Sequence, residues 1–101
     1  MYLFQIYLPL YDNAGKKISS DLFVEVRKKL LQKFGGVTFY QQTAAGLWEN
    51  EKGKIDADTL IVVEVMTKRR WKKWWRNFRH FLEEKFQQDE ILIRSSNCIK
   101  V

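Results

Sequence analysis

The hydrophobic residues of this chain change their spacing in a fixed order, and that order constrains the fold more than any other feature. Phe4, Ile6 and Leu8 alternate with other residues over 2–10, which predicts a strand. Strand-like stretches of the same kind follow at 37–43, 59–66 and 90–94. Apolar residues recur at helical spacing in two long segments, one between the first and second strands and one between the third and last strands. The predicted order of elements is therefore β-α-β-β-α-β.

The first helix has clear signals at both ends. Ser19 and Ser20 each carry a hydroxyl that can cap the free backbone amides of a helix starting beside them. Apolar residues then recur at helical spacing as far as Phe34, and Gly35 and Gly36 follow as a stop. The sequence therefore predicts a helix that begins at this serine pair and ends at Phe34.

Two β-α-β units joined through a hairpin are typical of the α+β, ferredoxin-like fold. Because such crossovers are right-handed, both helices should cover one face of a four-stranded antiparallel sheet with strand order 4-1-3-2. We expect residues 1–101 to form a single domain of this class. We also expect a bend at 44–46 and a hairpin loop at 49–56.

The positive charge of the chain belongs to the second helix, predicted over 68–87. Residues 68–85 contain eight basic and two acidic side chains, so this segment alone accounts for the net charge of +6. Its large apolar residues share one arc, and the charges lie on the other side. The candidate anion-binding residues are Arg69, Lys72, Lys73, Arg76 and Arg79. They could hold the phosphates of a nucleic acid or another polyanion, lie against a membrane interface, or simply be solvated.

The sheet face without helices forms the second candidate site. Its predicted strands carry apolar residues such as Leu3, Val62 and Met66, which need a cover. Among them lies a polar patch made of Gln5, Tyr7, Tyr40, Gln42, Glu64 and Arg94. A second copy of the chain is the simplest cover, which predicts a homodimer. Alternatively, the patch is a ligand pocket with Glu64 as a base, or an ion pair without further function.

The sequence predicts no catalytic residue, no metal site and no cofactor. His80 lies away from the apolar arc and Cys98 follows the last strand, so a Cys–His nucleophile pair is not expected. The carboxylates at the hairpin loop match no calcium-loop spacing; they are Glu49, Glu51, Asp56 and Asp58. A single cysteine forms no internal disulfide, and no apolar run reaches the ~18 residues of a membrane helix. We therefore expect a cytoplasmic protein without a transmembrane segment.

Several short motifs resemble a family of small bacterial α+β proteins of unknown function. The motifs are Asn13-Ala14-Gly15, Phe34-Gly35-Gly36, Gly46-Leu47-Trp48, the valine-rich strand at 60–66 and the segment 86–92. The resemblance covers most of the chain but not the lysine- and tryptophan-rich helix. It implies the ferredoxin-like fold, and it adds nothing on mechanism because the activity of that family is unknown.

The function that these observations favour is a small, non-enzymatic binding or regulatory module, dimeric and with a basic helix face that contacts a polyanion. The alternative is a small-molecule site or enzyme on the open sheet face around Glu64. A further alternative is a structural subunit of a larger assembly. The fold itself does not choose among them, because this architecture hosts many functions.

Overall fold

The computed structural model describes the backbone of residues 1–49 and 55–101, and the side chains of 1–40 and 60–101. Its elements are β1 (Tyr2–Pro9), α1 (Ser20–Phe34), β2 (Thr38–Glu49), β3 (Ile55–Thr67), α2 (Lys72–Lys85) and β4 (Ile93–Asn97). The four strands form one antiparallel sheet in the order β2-β3-β1-β4. The predicted ferredoxin-like fold and its strand order are confirmed.

The core lies between the helices and one face of this sheet. Phe4, Ile6 and Leu8 of β1 and Val63 and Val65 of β3 are buried. They pack against buried residues of both helices and of the segment after α2, namely Val26, Leu30, Trp75, Phe78, Leu82, Phe86 and Ile91. Because side chains alternate along a strand, the residues between the buried ones point to the other face, which neither α1 nor α2 covers. We call it the open sheet face.

α1 has a side-chain cap at its start and a glycine at its end. The Ser19 hydroxyl accepts a hydrogen bond from the Asp21 backbone N–H at 3.2 Å, and the helix begins at Ser20. Gly35 has a φ of 77° and donates its N–H to the Leu31 carbonyl, which ends the helix after Phe34. Both predicted ends are confirmed, and the structure assigns the cap to Ser19.

α2 begins at Lys72 and ends at Lys85, whereas the sequence predicted a helix over 68–87. The late start has a backbone cause. Trp71, the N-cap residue, has a φ of 50° and a ψ of 42°, the left-handed conformation that cannot continue a right-handed helix. Arg69 and Arg70 therefore belong to the connection before α2 and not to the helix.

β2 and β4 also differ from the sequence predictions. β2 continues through 44–46, and its pairing with β3 shifts earlier, between Phe39 and Thr43. β4 begins three residues later than expected, because Ile91 is buried in the core and its N–H bonds the Glu83 carboxylate at 3.0 Å. Residues 50–54, within the predicted hairpin loop, lie outside the described part of the chain.

Candidate functional site

A basic groove runs along the outer side of α2, between the helix and the edge strand β4. Its volume is about 370 Å³. The walls are formed by basic side chains and a serine, and the floor by core residues: Arg70, Lys72, Arg76, Arg79 and Ser95, with Phe4, Trp75 and Ile93 beneath them. No aspartate, glutamate, histidine or cysteine is among these lining residues, so the groove concentrates positive charge.

The first turn of α2 adds to this positive potential. The helix has no side-chain cap and no acidic residue in its first turn, and Lys72 and Lys73 stand there instead. The first backbone N–H groups of any helix lack intrahelical acceptors and form the positive end of its dipole. Two lysines at that end raise the potential further, which disfavours the helix unless an anion binds nearby.

The cations of the groove have few acidic partners. Within the side chains that the structure describes, Glu83 forms an ion pair with Arg79, at 3.9 Å, and also contacts the His80 ring, at 3.5 Å. Arg70 lies over the Tyr2 ring, with 5.5 Å from Cζ to the ring centroid. Arg79 is thus weakly paired, and Arg70 is held by an aromatic ring and not by a carboxylate.

The groove has an aromatic floor that also belongs to the core. Trp75 stacks on Phe4 with ring centroids 4.4 Å apart and is 5% exposed. Its Nε1–H is buried and finds no acceptor among the described residues. A buried donor without a partner costs roughly 1–3 kcal/mol, so a ligand oxygen that reached this N–H would recover that free energy.

The structure brings some of the predicted anion-binding residues together and separates others. Lys72, Arg76 and Arg79 line the groove, whereas Lys73 and Arg69 do not. The Arg69 guanidinium instead lies 5.8 Å from the centroid of the Trp71 ring. Sequence reasoning missed Arg70 and Ser95. A helical projection could not place either of them, because Arg70 precedes the left-handed Trp71 and Ser95 enters through the register of β4.

A second groove, of about 430 Å³, lies between the two helices. It also contains lysines next to aromatic rings, but here the cations stack on the rings. Lys29 Nζ lies 4.6 Å from the Phe81 ring centroid, and Lys33 Nζ lies 3.8 Å from that of Trp71. Because both lysines of this groove contact rings, whereas in the groove beside β4 only Arg70 does so among the described cations, the groove beside β4 is the better anion site.

The open sheet face carries a row of polar side chains across three strands. Gln5 of β1 is paired with Glu64 of β3 on one side and with Arg94 of β4 on the other. Gln5 Nε2 donates to Glu64 at 2.7 Å, and Arg94 Nε donates to Gln5 Oε1 at 3.1 Å. Gln5 therefore bridges a carboxylate and a guanidinium that do not pair with each other.

The remaining predicted members of the patch adjoin this row. The Tyr40 hydroxyl donates to Glu64 at 2.8 Å, and Arg94 Cζ lies 5.2 Å from the Tyr7 ring centroid. The hydrogen bond to Glu64, together with the negative charge of that carboxylate, raises the pKa of Tyr40 above 10.0. The Gln42 side chain lies outside the described ones.

The remaining sequence predictions concern metal ions and membrane spans. The described side chains contain no cluster of three or more His, Cys, Asp or Glu residues that could hold a metal ion. The side chains of Glu49, Glu51, Asp56 and Asp58 are outside that set. In the described part of the chain, no helix has the length and apolar character required to cross a bilayer.

No family model and no curated protein sequence matches this chain. Solved structures do match its fold. A phage SAM lyase in complex with S-methyl-5'-thioadenosine has a TM-score of 0.67 and 11% identity, over 95% of this chain and 80% of that one. The apo form of a phage SAM lyase has a TM-score of 0.64 and 13% identity, over 94% of this chain and 78% of that one.

A point mutant of CutA1 from Pyrococcus horikoshii OT3 matches with a TM-score of 0.61 and 19% identity. That match covers 100% of this chain and 86% of the CutA1 chain. At such low identity these likenesses establish the shared α+β fold, and the function has to be argued from the site.

Proposed function

We propose that this protein is a non-enzymatic binding module that holds a phosphate-bearing ligand in the basic groove between α2 and β4. The observation that carries this proposal is the convergence of Arg70, Lys72, Arg76 and Arg79 on one groove whose lining contains no carboxylate. Guanidinium groups bind phosphate through two parallel hydrogen bonds, and lysine adds a point charge. The groove offers both kinds of cation within one small volume.

The size and floor of the groove favour a ligand of nucleotide dimensions. Its volume of about 370 Å³ lies within the range of small-molecule sites. Phe4 and Trp75 supply an apolar base beneath the charges, although both rings are buried. Because the rings are covered, the charged rim and not base stacking should dominate the affinity. One structural neighbour holds a nucleoside derivative, S-methyl-5'-thioadenosine, on the same fold, so adenosine compounds belong among the ligands to test.

The chemistry of the lining favours binding over catalysis. General acid–base catalysis needs a group such as a carboxylate or imidazole within reach of the ligand, and neither lines the groove. Ser95 contributes a hydroxyl, and neither a carboxylate nor an imidazole lines the groove to activate it. The lining therefore favours the binding of a phosphate over its transformation.

We propose further that the module acts as a homodimer through the open sheet face. Met66 is 47% exposed there and Tyr40 is 46% exposed, beside the half-buried Leu3, Tyr7 and Val62. A sheet face of this composition is stabilised when a second apolar surface covers it. The alternative of a ligand pocket around Glu64 is less favoured, because the polar groups there already bond one another.

Fluorescence polarisation with a labelled, short single-stranded oligonucleotide tests the groove. For each phosphate that the groove neutralises, the slope of log K against log salt concentration should be about −0.7. Unlabelled AMP should displace the probe, whereas adenosine, which lacks the phosphate, should not. Arg76→Glu should weaken binding at least about tenfold, since it removes a charge-assisted contact and adds repulsion.

Lys28→Glu is the matched control for that variant, because it makes the same change in net charge at an exposed position of α1. Equal losses in the two variants would show that only the overall charge matters. That result, or displacement by adenosine as strong as by AMP, would contradict the proposed phosphate site.

A further inference from the structure

The residues of the open sheet face form three rows that cross β4, β1 and β3. The middle row is Arg94, Gln5 and Glu64. One flanking row contains Tyr7 and Val62, with Leu92 next to Tyr7 through the hydrogen bond from the Tyr7 N–H to the Leu92 carbonyl at 3.0 Å. The other flanking row contains Ser96, Leu3 and Met66. A polar row thus lies between two largely apolar rows.

The middle row has a positive charge at one end, Arg94, and a negative charge at the other, Glu64. Arg94 and Glu64 lie on opposite sides of β1, about 10 Å apart at the backbone because adjacent strands are separated by ~4.8 Å. Neither has an ion-pair partner within the described residues. Covering the face by a surface without complementary charges would bury both charges unpaired, which is strongly unfavourable.

We infer that a second copy of this chain covers the open sheet face at β4, β1 and β3 through a two-fold axis that lies over β1 and parallel to it, so that Arg94 of each copy meets Glu64 of the other. This inference rests on the homodimer proposed above and specifies its geometry. A two-fold axis along β1 preserves the position along the strand and reverses the strand order. It therefore sets β4 of one copy over β3 of the other and β1 over β1.

The same rotation matches the flanking rows. Leu92 meets Val62, Tyr7 meets Tyr7, and Leu3 meets Leu3 across the axis, whereas Ser96 meets Met66, so most of these contacts join apolar residues. A two-fold axis perpendicular to the strands would instead place Arg94 over Arg94 and Glu64 over Glu64, which is repulsive. The charge pattern of the face thus selects one of the two face-to-face arrangements.

Sedimentation equilibrium of the wild type and of charge-reversed variants tests this geometry. The wild type should have the mass of two chains. Glu64→Lys and Arg94→Glu should each be monomeric, because each places like charges at both contacts. An equimolar mixture of the two variants should associate as a heterodimer, since both of its contacts then join opposite charges. The double variant Glu64→Lys/Arg94→Glu should form a homodimer again.

Several controls keep the result interpretable. Glu84→Lys and Lys28→Glu make the same charge changes at exposed positions of the helices and should remain dimeric. Circular dichroism establishes that each variant is folded, and the neutral variants Glu64→Gln and Arg94→Gln should show intermediate association if a reversal unfolds the chain.

The outcomes separate this inference from the proposal on which it rests. A monomeric wild type would overturn the homodimer itself. A wild type with the mass of three or more chains would overturn the two-fold arrangement. A dimeric wild type whose single reversals remain dimeric, or whose mixed variants do not associate, would overturn the pairing of Arg94 with Glu64 while leaving the dimer in place.

Discussion

At the start of α1 the Ser19 hydroxyl accepts a hydrogen bond from the Asp21 N–H, whereas the start of α2 has no side-chain cap and carries two lysines. α1 thus has an acidic first turn and a hydroxyl cap, as helix electrostatics favour. α2 has the opposite arrangement, and it begins at a tryptophan in the left-handed conformation. Departures from local preference are expected at functional sites. The contrast therefore supports the assignment of the anion site to α2.

The tertiary packing of α2 has to offset its unfavourable start, and Trp75 is one of its three buried residues, with Phe78 and Leu82. Its ring stacks on Phe4 and also on Phe34, with a centroid distance of 5.3 Å in the second pair. Trp75→Ala should lower the free energy of unfolding by about 3–5 kcal/mol through the cavity it leaves. Trp71→Ala, at a ring that is 37% exposed, should cost clearly less. Urea denaturation measures both; equal losses would show that α2 is not anchored through Trp75.

The cap of α1 provides the reference for a conventional helix start. Ser19→Ala should lower the free energy of unfolding by about 1 kcal/mol, because one N–H loses its acceptor. Ser20→Ala should have almost no effect, since Ser20 is exposed and is the first helical residue. Thermal or urea denaturation distinguishes them, and a larger effect at Ser20 would contradict the assignment of the cap.

In the first turn of α2, a substitution should instead raise the free energy of unfolding. Lys73→Glu places a negative charge at the positive end of the helix dipole and should raise the free energy of unfolding by about 0.3–1 kcal/mol. Lys72→Glu should stabilise the protein similarly but also weaken phosphate binding, because Lys72 lines the groove and Lys73 does not. Loss of stability in Lys73→Glu would contradict the view that this turn is electrostatically unfavourable.

The smallest effect concerns Tyr40, which lies away from both helix starts. Its pKa should exceed 10.0 in the wild type and fall toward that value in Glu64→Gln, which removes the negative charge of the hydrogen-bond acceptor. Because the folded-state pKa is raised, any stabilisation from this bond is present below pH 10 and is lost as pH rises through the folded-state pKa. Ultraviolet titration of tyrosinate measures it. Lys73→Glu should leave it unchanged; a shift there would show that the effect is not local.

The same contrast explains how much the sequence could predict. Periodicity and turn residues are local signals, so they predicted the strand order and both ends of α1. They also placed Gln5, Tyr40, Glu64 and Arg94 on one face, because alternation along a strand determines the facing of each residue once the register is known. The bridge that Gln5 forms between Glu64 and Arg94 was not predicted, since it depends on the exact pairing of three strands.

The groove could not be predicted in the same way. A helical projection assumes that the helix continues through Arg69 and Arg70, and the left-handed Trp71 ends that continuity. Nothing in the residue type of a tryptophan signals such a conformation, which is uncommon for large side chains. Ser95 lies at the groove because β4 pairs with β1 in the register that places Ser95 opposite Phe4, whereas the predicted last strand ended at 94. These are effects of tertiary packing, which the spacing of apolar residues along the sequence does not reveal.

A nuclear magnetic resonance titration of the wild type with inorganic phosphate tests the phosphate site at the groove, with sodium chloride at matched ionic strength as the reference. The indole N–H of Trp75 would be assigned from Trp75→Phe. We expect saturable shifts of that indole and of the backbone amides in the first turn of α2, with α1 unaffected. Shifts that do not saturate, that equal those in chloride, or that appear around the α1 start would contradict a phosphate site at the groove.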